Sequence, residues 1–216
     1  MQWWSDINKL QINMSKTKEL VFRRPSARHF TAPQPLPFVE QITITKLLGI
    51  YISATFSASA HVEHILSVAN QRMYLLAQLK SRGLSRDALH IVFTAIVLSV
   101  VTYALPSFAG QLSKGDIARI DSLFRKAFRR RFCCHTISID ELISAADNKL
   151  FRQMSNSHCL HPLLPTQRNE KLTNCLRKRG HNYQLPQIEF TLLKNSFINR
   201  CLFLVLYVSH CCFCHY

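Results

Sequence analysis

The run "VEQITITKLLGIYIS" (39–53) gives way within six residues to "SAHVEHILSVANQRMYLLAQLKSRG" (59–83), and that change of period decides the fold. In the first stretch Ile42, Ile44, Leu48, Ile50 and Ile52 share one face of a two-residue repeat, with Gly49 in a tight place. This predicts one hairpin or two short strands. In the second, Val62, Ile65, Ala69, Met73, Leu76 and Leu79 step by three and four, as one face of a helix does. The helix is predicted from about Ser59, with Gly83 as its C-terminal stop.

Outward from this junction, the upstream chain is short and mixed. Trp3, Ile7 and Leu10 fall on one face of a starting helix, Asn13 and Met14 form a loop core, and "KELVF" (18–22) has β character. "RRPSARHFTAPQPLP" (23–37) holds four of the eight prolines and is a loop. Downstream, helical signals follow one another. Ser85 can cap a second helix, expected to end at Pro106. Ser113 and Asp116 make a capping-box-like start for a third, with Ile117, Ile120, Phe124 and Phe128 inward. Ser138 and Glu141 repeat that pattern for a fourth, carrying Leu142, Ala146 and Leu150. After Asn156 the signals weaken, and no internal repeat is present. The expected class is α+β.

Composition narrows the function. The chain has 216 residues, 48% of them hydrophobic, enough for a real core. Lys and Arg number 27 against 12 Asp and Glu, a net charge of +15. Such an excess favours a polyanionic partner, either nucleic acid or an anionic membrane surface, the alternative being a solvated basic surface without a specific partner. No basic, apolar and small-residue series follows Met1, so no secretory signal is expected. The eight cysteines are single or adjacent and read as reduced intracellular thiols. The apolar run "LHIVFTAIVLSVVTYAL" (89–105) is slightly short for a membrane span and is expected as a core helix. The expected location is nuclear or cytoplasmic, without secretion or a membrane partner.

"LQINMSKTKELVF" (10–22), "KLLGIYI" (46–52) and the helix bearing "HVEHI" (61–65) resemble, in this order, the reverse transcriptases of non-LTR (LINE-type) retrotransposons. "SVVTYALPSFAG" (99–110), "IDSLFRKAFRR" (120–130), "HPLLP" (161–165), "LRKRGHNYQLP" (176–186) and "KNSFINRCLF" (194–203) extend the resemblance to roughly residues 3–203. Phe108 stands where the family often has Trp. The resemblance implies a remnant of the palm with its β-hairpin over 1–55 and a mainly helical thumb and connection region over 56–156. A poorly ordered tail, basic and then cysteine-rich, is expected over 157–216. The family's activity is RNA-directed DNA synthesis. It needs paired aspartates, two of them in an "ADD" turn, to hold two metal ions during phosphoryl transfer. Here Asp6 is alone before the Lys-Thr motif, and "AADN" (145–148) carries one carboxylate. No polymerase activity, catalytic residue, metal, cofactor or small-molecule substrate is therefore expected of this chain.

What remains is binding. Within "FRKAFRRRF" (124–132), Lys126, Arg129 and Arg130, with Arg119 before them, lie roughly opposite Ile117, Phe124 and Phe128. Arg125 and Arg131 complete the cluster. One face can pack while the other meets phosphates of RNA or DNA without reading sequence. A solvated helix face is the competing reading of equal weight. Lys16 and Lys18 are the expected contacts in the palm remnant, since a lysine in that loop is thought to approach nucleotide phosphates in the family. "LRKRGH" (176–181) is a weaker second patch.

Three other constellations invite chemistry. His61, Glu63 and His64 formally supply half of an iron-binding triad, and similarity to an AlkB-type (2-oxoglutarate dioxygenase family) RNA-modification accessory region is an alternative reading. A surface pair at a helix start is the expectation. "HCCFCHY" (210–216), with "CCH" (133–135) and "HCLH" (158–161), lacks zinc-finger spacing and is not expected to hold zinc. An inert or protein-interaction remnant is the further alternative.

Overall fold

The computed structural model describes residues 2–24, 30–168 and 181–203. They fall into two compact units that divide after His64, nine residues beyond the boundary expected from sequence at residue 55. The class is α+β, as the change of period predicts.

In the first unit, α1 (Gln2–Ile7) is a six-residue helix. It closes with Lys9 at φ 53 and Leu10 N–H donating to the Ser5 carbonyl at 2.9 Å. Its expected apolar face is open: Trp3, Ile7 and Leu10 are exposed and Ser5 is the buried side chain. Six residues are too few to lay a stripe against a neighbour. β1 (Lys18–Leu20) pairs in parallel with β2 (Glu40–Ile42), Lys18 opposite Glu40. β1 is shorter than the "KELVF" run, because Phe22 turns to stack on Phe56 at 4.3 Å between centroids. β3 (Ile44–Leu47) and β4 (Ile50–Ser53) form the expected antiparallel hairpin. Leu48 and Gly49 are its two-residue loop, both at positive φ (48° and 88°), the geometry that matches strand twist. Leu48 therefore projects at the tip, exposed, instead of sharing the face of Ile50 and Ile52.

α2 (Ser59–Ser81) starts where the period changes. Val62, Ile65, Ala69, Met73 and Leu76 are buried as expected, while Leu79 is partly exposed. Gly83, at φ 86°, donates to the Lys80 carbonyl at 3.0 Å, and Leu84 N–H reaches Leu79 O at 3.2 Å. That pair of bonds is a Schellman ending, which glycine allows without steric cost.

α3 (Arg86–Phe93) is capped by Ser85, whose Oγ accepts from Ala88 N–H at 3.3 Å. A π turn (Thr94–Leu98) and α4 (Ser99–Thr102) continue it. Leu89, Phe93, Val97 and Val101 are all buried and recur every four residues. Four exceeds the 3.6-residue period, and the wider π turn absorbs the excess so that the row keeps facing inward. Arg72 of α2 donates to the Ile96 carbonyl within that turn. The helix was expected to stop at Pro106. It stops instead at Thr102, Ala104 is left-handed (φ 50°), and Pro106 lies in the first turn of α5 (Leu105–Phe108). Proline lacks only an N–H that a first turn leaves unbonded anyway. Arg86–Gln111 is long enough for a membrane span and contains a window of mean hydropathy 2.2, of which 28% is buried. It is therefore only in part the core helix expected, with the Leu89–Phe93–Val97–Val101 row covered and Ile91 and Tyr103 exposed.

α6 (Lys114–Arg129) begins with the expected capping box: Ser113 Oγ accepts from Asp116 N–H at 3.1 Å, and Ser113 N–H donates to Asp116 Oδ2 at 3.2 Å. α7 (Ile139–Ser157) does not repeat it. The Ser138 side chain makes no cap, and Ile139 N–H donates across to Asp121 Oδ1 of α6 at 3.0 Å. A tertiary carboxylate outcompetes the local box.

Much of the segment expected as a tail is described and packed. Residues 167 and 183 bridge antiparallel, a one-turn helix covers Thr191–Lys194, and a last helical stretch covers 197–203. Phe151 of α7, Cys201 and Leu202 form a core cluster with Leu164, Tyr183, Leu185, Phe197 and Ile198. Residues 169–180 and 204–216 lie outside the described residues.

Candidate nucleic-acid interface

α6 buries Asp116, Ile120, Leu123, Phe124 and Ala127. Of the expected inward set, Ile120 and Phe124 are buried, Ile117 is only half-buried and Phe128 is exposed, so the packed face is turned toward Asp116, Leu123 and Ala127. At about 100° per residue, Arg125 and Arg129 then point almost directly outward, and Lys126 and Arg119 lie on one flank. All four are exposed, as are Arg130 and Arg131.

Their surroundings differ. Arg119 is engaged with buried Asp116 at 3.7 Å. Among the described residues, no ion pair engages Arg125, Lys126, Arg129, Arg130 or Arg131. Arg130 is the C-cap. Arg131, at φ 59°, donates its N–H to Phe128 O at 2.9 Å, and Phe132 N–H reaches Ala127 O at 3.0 Å. α6 therefore ends, like α2, in a Schellman motif, but with arginine where α2 has Gly83.

The two endings meet. Lys80, in the last turn of α2, donates its ammonium to the Arg130 carbonyl at 2.8 Å. A cation at a helix C-terminus is favoured by the partial negative charge there. Arg86, at the start of α3, reaches the Cys134 carbonyl at 3.4 Å. Lys80 and Arg86 thus join the basic cluster at a separation of some fifty residues in the chain, which no local pattern indicates.

The first unit gives Lys16 and Lys18 separate settings. Asn13 organises the Lys16 turn: its side chain accepts from Ser15 Oγ at 2.6 Å and from Lys16 N–H at 3.3 Å, and its carbonyl accepts from Thr17 Oγ1 at 2.9 Å. Lys16 stands exposed on that turn. Lys18 pairs with Glu40 on the neighbouring strand, which offsets its charge.

The other constellations are structural where they are described. His61 is buried, not on the surface as expected, and burial, reinforced by His64 and Lys46, lowers its pKa. The rings of His61 and His64 face Tyr51 at 6.4 and 5.0 Å, and Glu63 is exposed. Asp147 of "AADN" is buried and held by Arg200 through Nε–Oδ2 (2.7 Å) and Nη2–Oδ1 (2.9 Å). Burial pushes the Cys201 thiol up to about 12, with Asp147 adding to the rise. Burial likewise raises Cys133. Both are packing thiols. Among the described residues, no three His, Cys, Asp or Glu side chains are placed to hold a metal. Residues 210–216 and most of "LRKRGH" lie outside the described residues.

Compared with protein-family models, curated proteins and solved structures, the chain has no match.

Proposed function

We propose that this chain is a retrotransposon-derived, reverse-transcriptase-like protein that binds RNA or DNA non-specifically through the end of α6 and does not polymerise. The observation that carries the binding is the concentration of Arg125, Lys126, Arg129, Arg130 and Arg131 on one exposed helix end, outside any ion pair among the described residues. An acidic neighbour would have neutralised such a cluster. Left uncompensated on a chain of net charge +15, it is suited to phosphates, which exchange bound counterions for these side chains. The family resemblance and the lack of an "ADD" turn in the sequence support the rest of the proposal. Contacts to phosphate carry no sequence information. In fluorescence anisotropy, oligonucleotides of equal length and scrambled sequence should bind alike, and primer extension with magnesium or manganese should yield no product. A preferred sequence, or template-dependent extension by the pure protein, would overturn it.

A further inference from the structure

The paired helix endings border an open, shallow cleft of about 400 Å³ lined by Ala77, Lys80 and Ser81 of α2 and by Arg130 and Phe132 after α6. Resting on the nucleic-acid reading above, we infer that this cleft seats one unpaired nucleotide, so that the protein prefers single strands to duplex. The volume lies within the roughly 300–1,000 Å³ of small-molecule sites.

Its chemistry is divided as a nucleotide is divided. Half-buried Ala77 gives the cleft an apolar floor against which the edge of a base can lie, backed by the buried Phe132 ring. Arg130 lines the cleft and is exposed, so its planar guanidinium is within reach of a bound base, and such planes stack on base faces. The Lys80 ammonium spends one donor on the Arg130 carbonyl and keeps two for a phosphate. Ser81 Oγ donates to Gln78 O at 2.8 Å and retains its acceptor capacity for an exocyclic amine or a ribose hydroxyl.

The two helix C-termini oppose an anion here, each contributing roughly half a negative charge. Lys80, Arg82, Arg129, Arg130 and Arg131 stand around the same endings, and these cations outnumber that partial charge several-fold. The cleft is positive on balance. A base held in a duplex cannot enter, because its faces are covered by its stacked neighbours, whereas an unpaired base has a free face.

Strand preference separates this proposal from the broader one. A protein that reads phosphates alone gains more from duplex DNA, with its higher charge density, than from a single strand. Affinities for a labelled single-stranded DNA, the same sequence as RNA, and the corresponding DNA duplex are to be compared at one salt concentration. The wild type should bind both single strands on the order of tenfold more tightly than the duplex. Ala77→Phe fills the cleft from a half-buried helix position and should abolish that preference without altering duplex affinity. Ser81→Trp blocks the exposed rim and decides the matter if circular dichroism shows Ala77→Phe to be misfolded. Equal affinity for single strand and duplex in the wild type, or a preference unchanged by the filling variants, overturns the cleft and leaves the basic face standing. Absence of binding to every probe at low salt overturns both.

Discussion

Arg131 occupies a backbone position that glycine fills at the end of α2. An L-residue in the left-handed region carries a strain of roughly 1–2 kcal/mol, which Gly83 avoids. Arg131→Gly should therefore stabilise the protein by about 1 kcal/mol, raising Tm by roughly 2–4 °C in thermal unfolding. A lowered Tm would show that the arginine side chain holds the helix end by contacts that outweigh its backbone strain. The contrast also shows what single residues reveal in a sequence. Gly83 announces a helix end because its residue type has one dominant structural use, and Ser85 and Ser113 announce helix starts for the same reason. Arg131 announces charge, and its left-handed backbone is invisible. His61 is misread similarly: "HVEH" looks polar, yet the helix phase that buries Val62 and Ile65 carries His61 inward beside them.

At the scale of elements, periodicity located α2, the β3–β4 hairpin and α6, since each carries a long enough apolar repeat. It did not reveal the breaks inside 86–111. A four-residue repeat and a continuous helix look alike until the π turn and Ala104 are seen. Nor did it reveal that the segment after α7 is packed. That segment is held by the cluster around Phe151, Cys201 and Leu202 and by Arg200, which donates to Asp147, to Asn195 O at 2.9 Å and to Pro106 O at 3.2 Å. Gly110 permits this approach, since a Cβ there would stand 1.8 Å from Asn195 O. Arg200→Met should cost roughly 3–5 kcal/mol, because it leaves the buried Asp147 carboxylate uncompensated. Arg200→Met with Asp147→Leu should recover most of the loss, as apolar replacement of a buried pair often does. Denaturant unfolding of the three proteins tests this. A double variant no more stable than Arg200→Met would mean that the arginine's bonds to Pro106 and Asn195, more than its pairing with Asp147, hold the segment.

For the whole molecule, composition and period sufficed to place the chain as α+β with a helical majority. The two units are built differently. The first presents Trp3, Trp4, Ile7, Phe38 and Leu48 to solvent, whereas the second buries Phe93, Val97, Phe108, Ile120 and Phe124. The proposed site was legible insofar as it lies on one helix. Its extension through Lys80 and its cleft were not, because they depend on two helix ends, distant in sequence, meeting in space. The central claim, that this end of α6 binds nucleic acid through phosphates, is tested most directly by the salt dependence of duplex binding. With about four phosphates contacted, the log–log slope of affinity against salt should be roughly −3 to −4. In the Lys126→Ala/Arg129→Ala/Arg130→Ala variant that slope should flatten by two units or more, by the same arithmetic of about 0.9 per phosphate. Helix content should be preserved, since alanine favours helix. An unchanged slope in a folded variant would contradict the account and make this basic face an ordinary solvated surface.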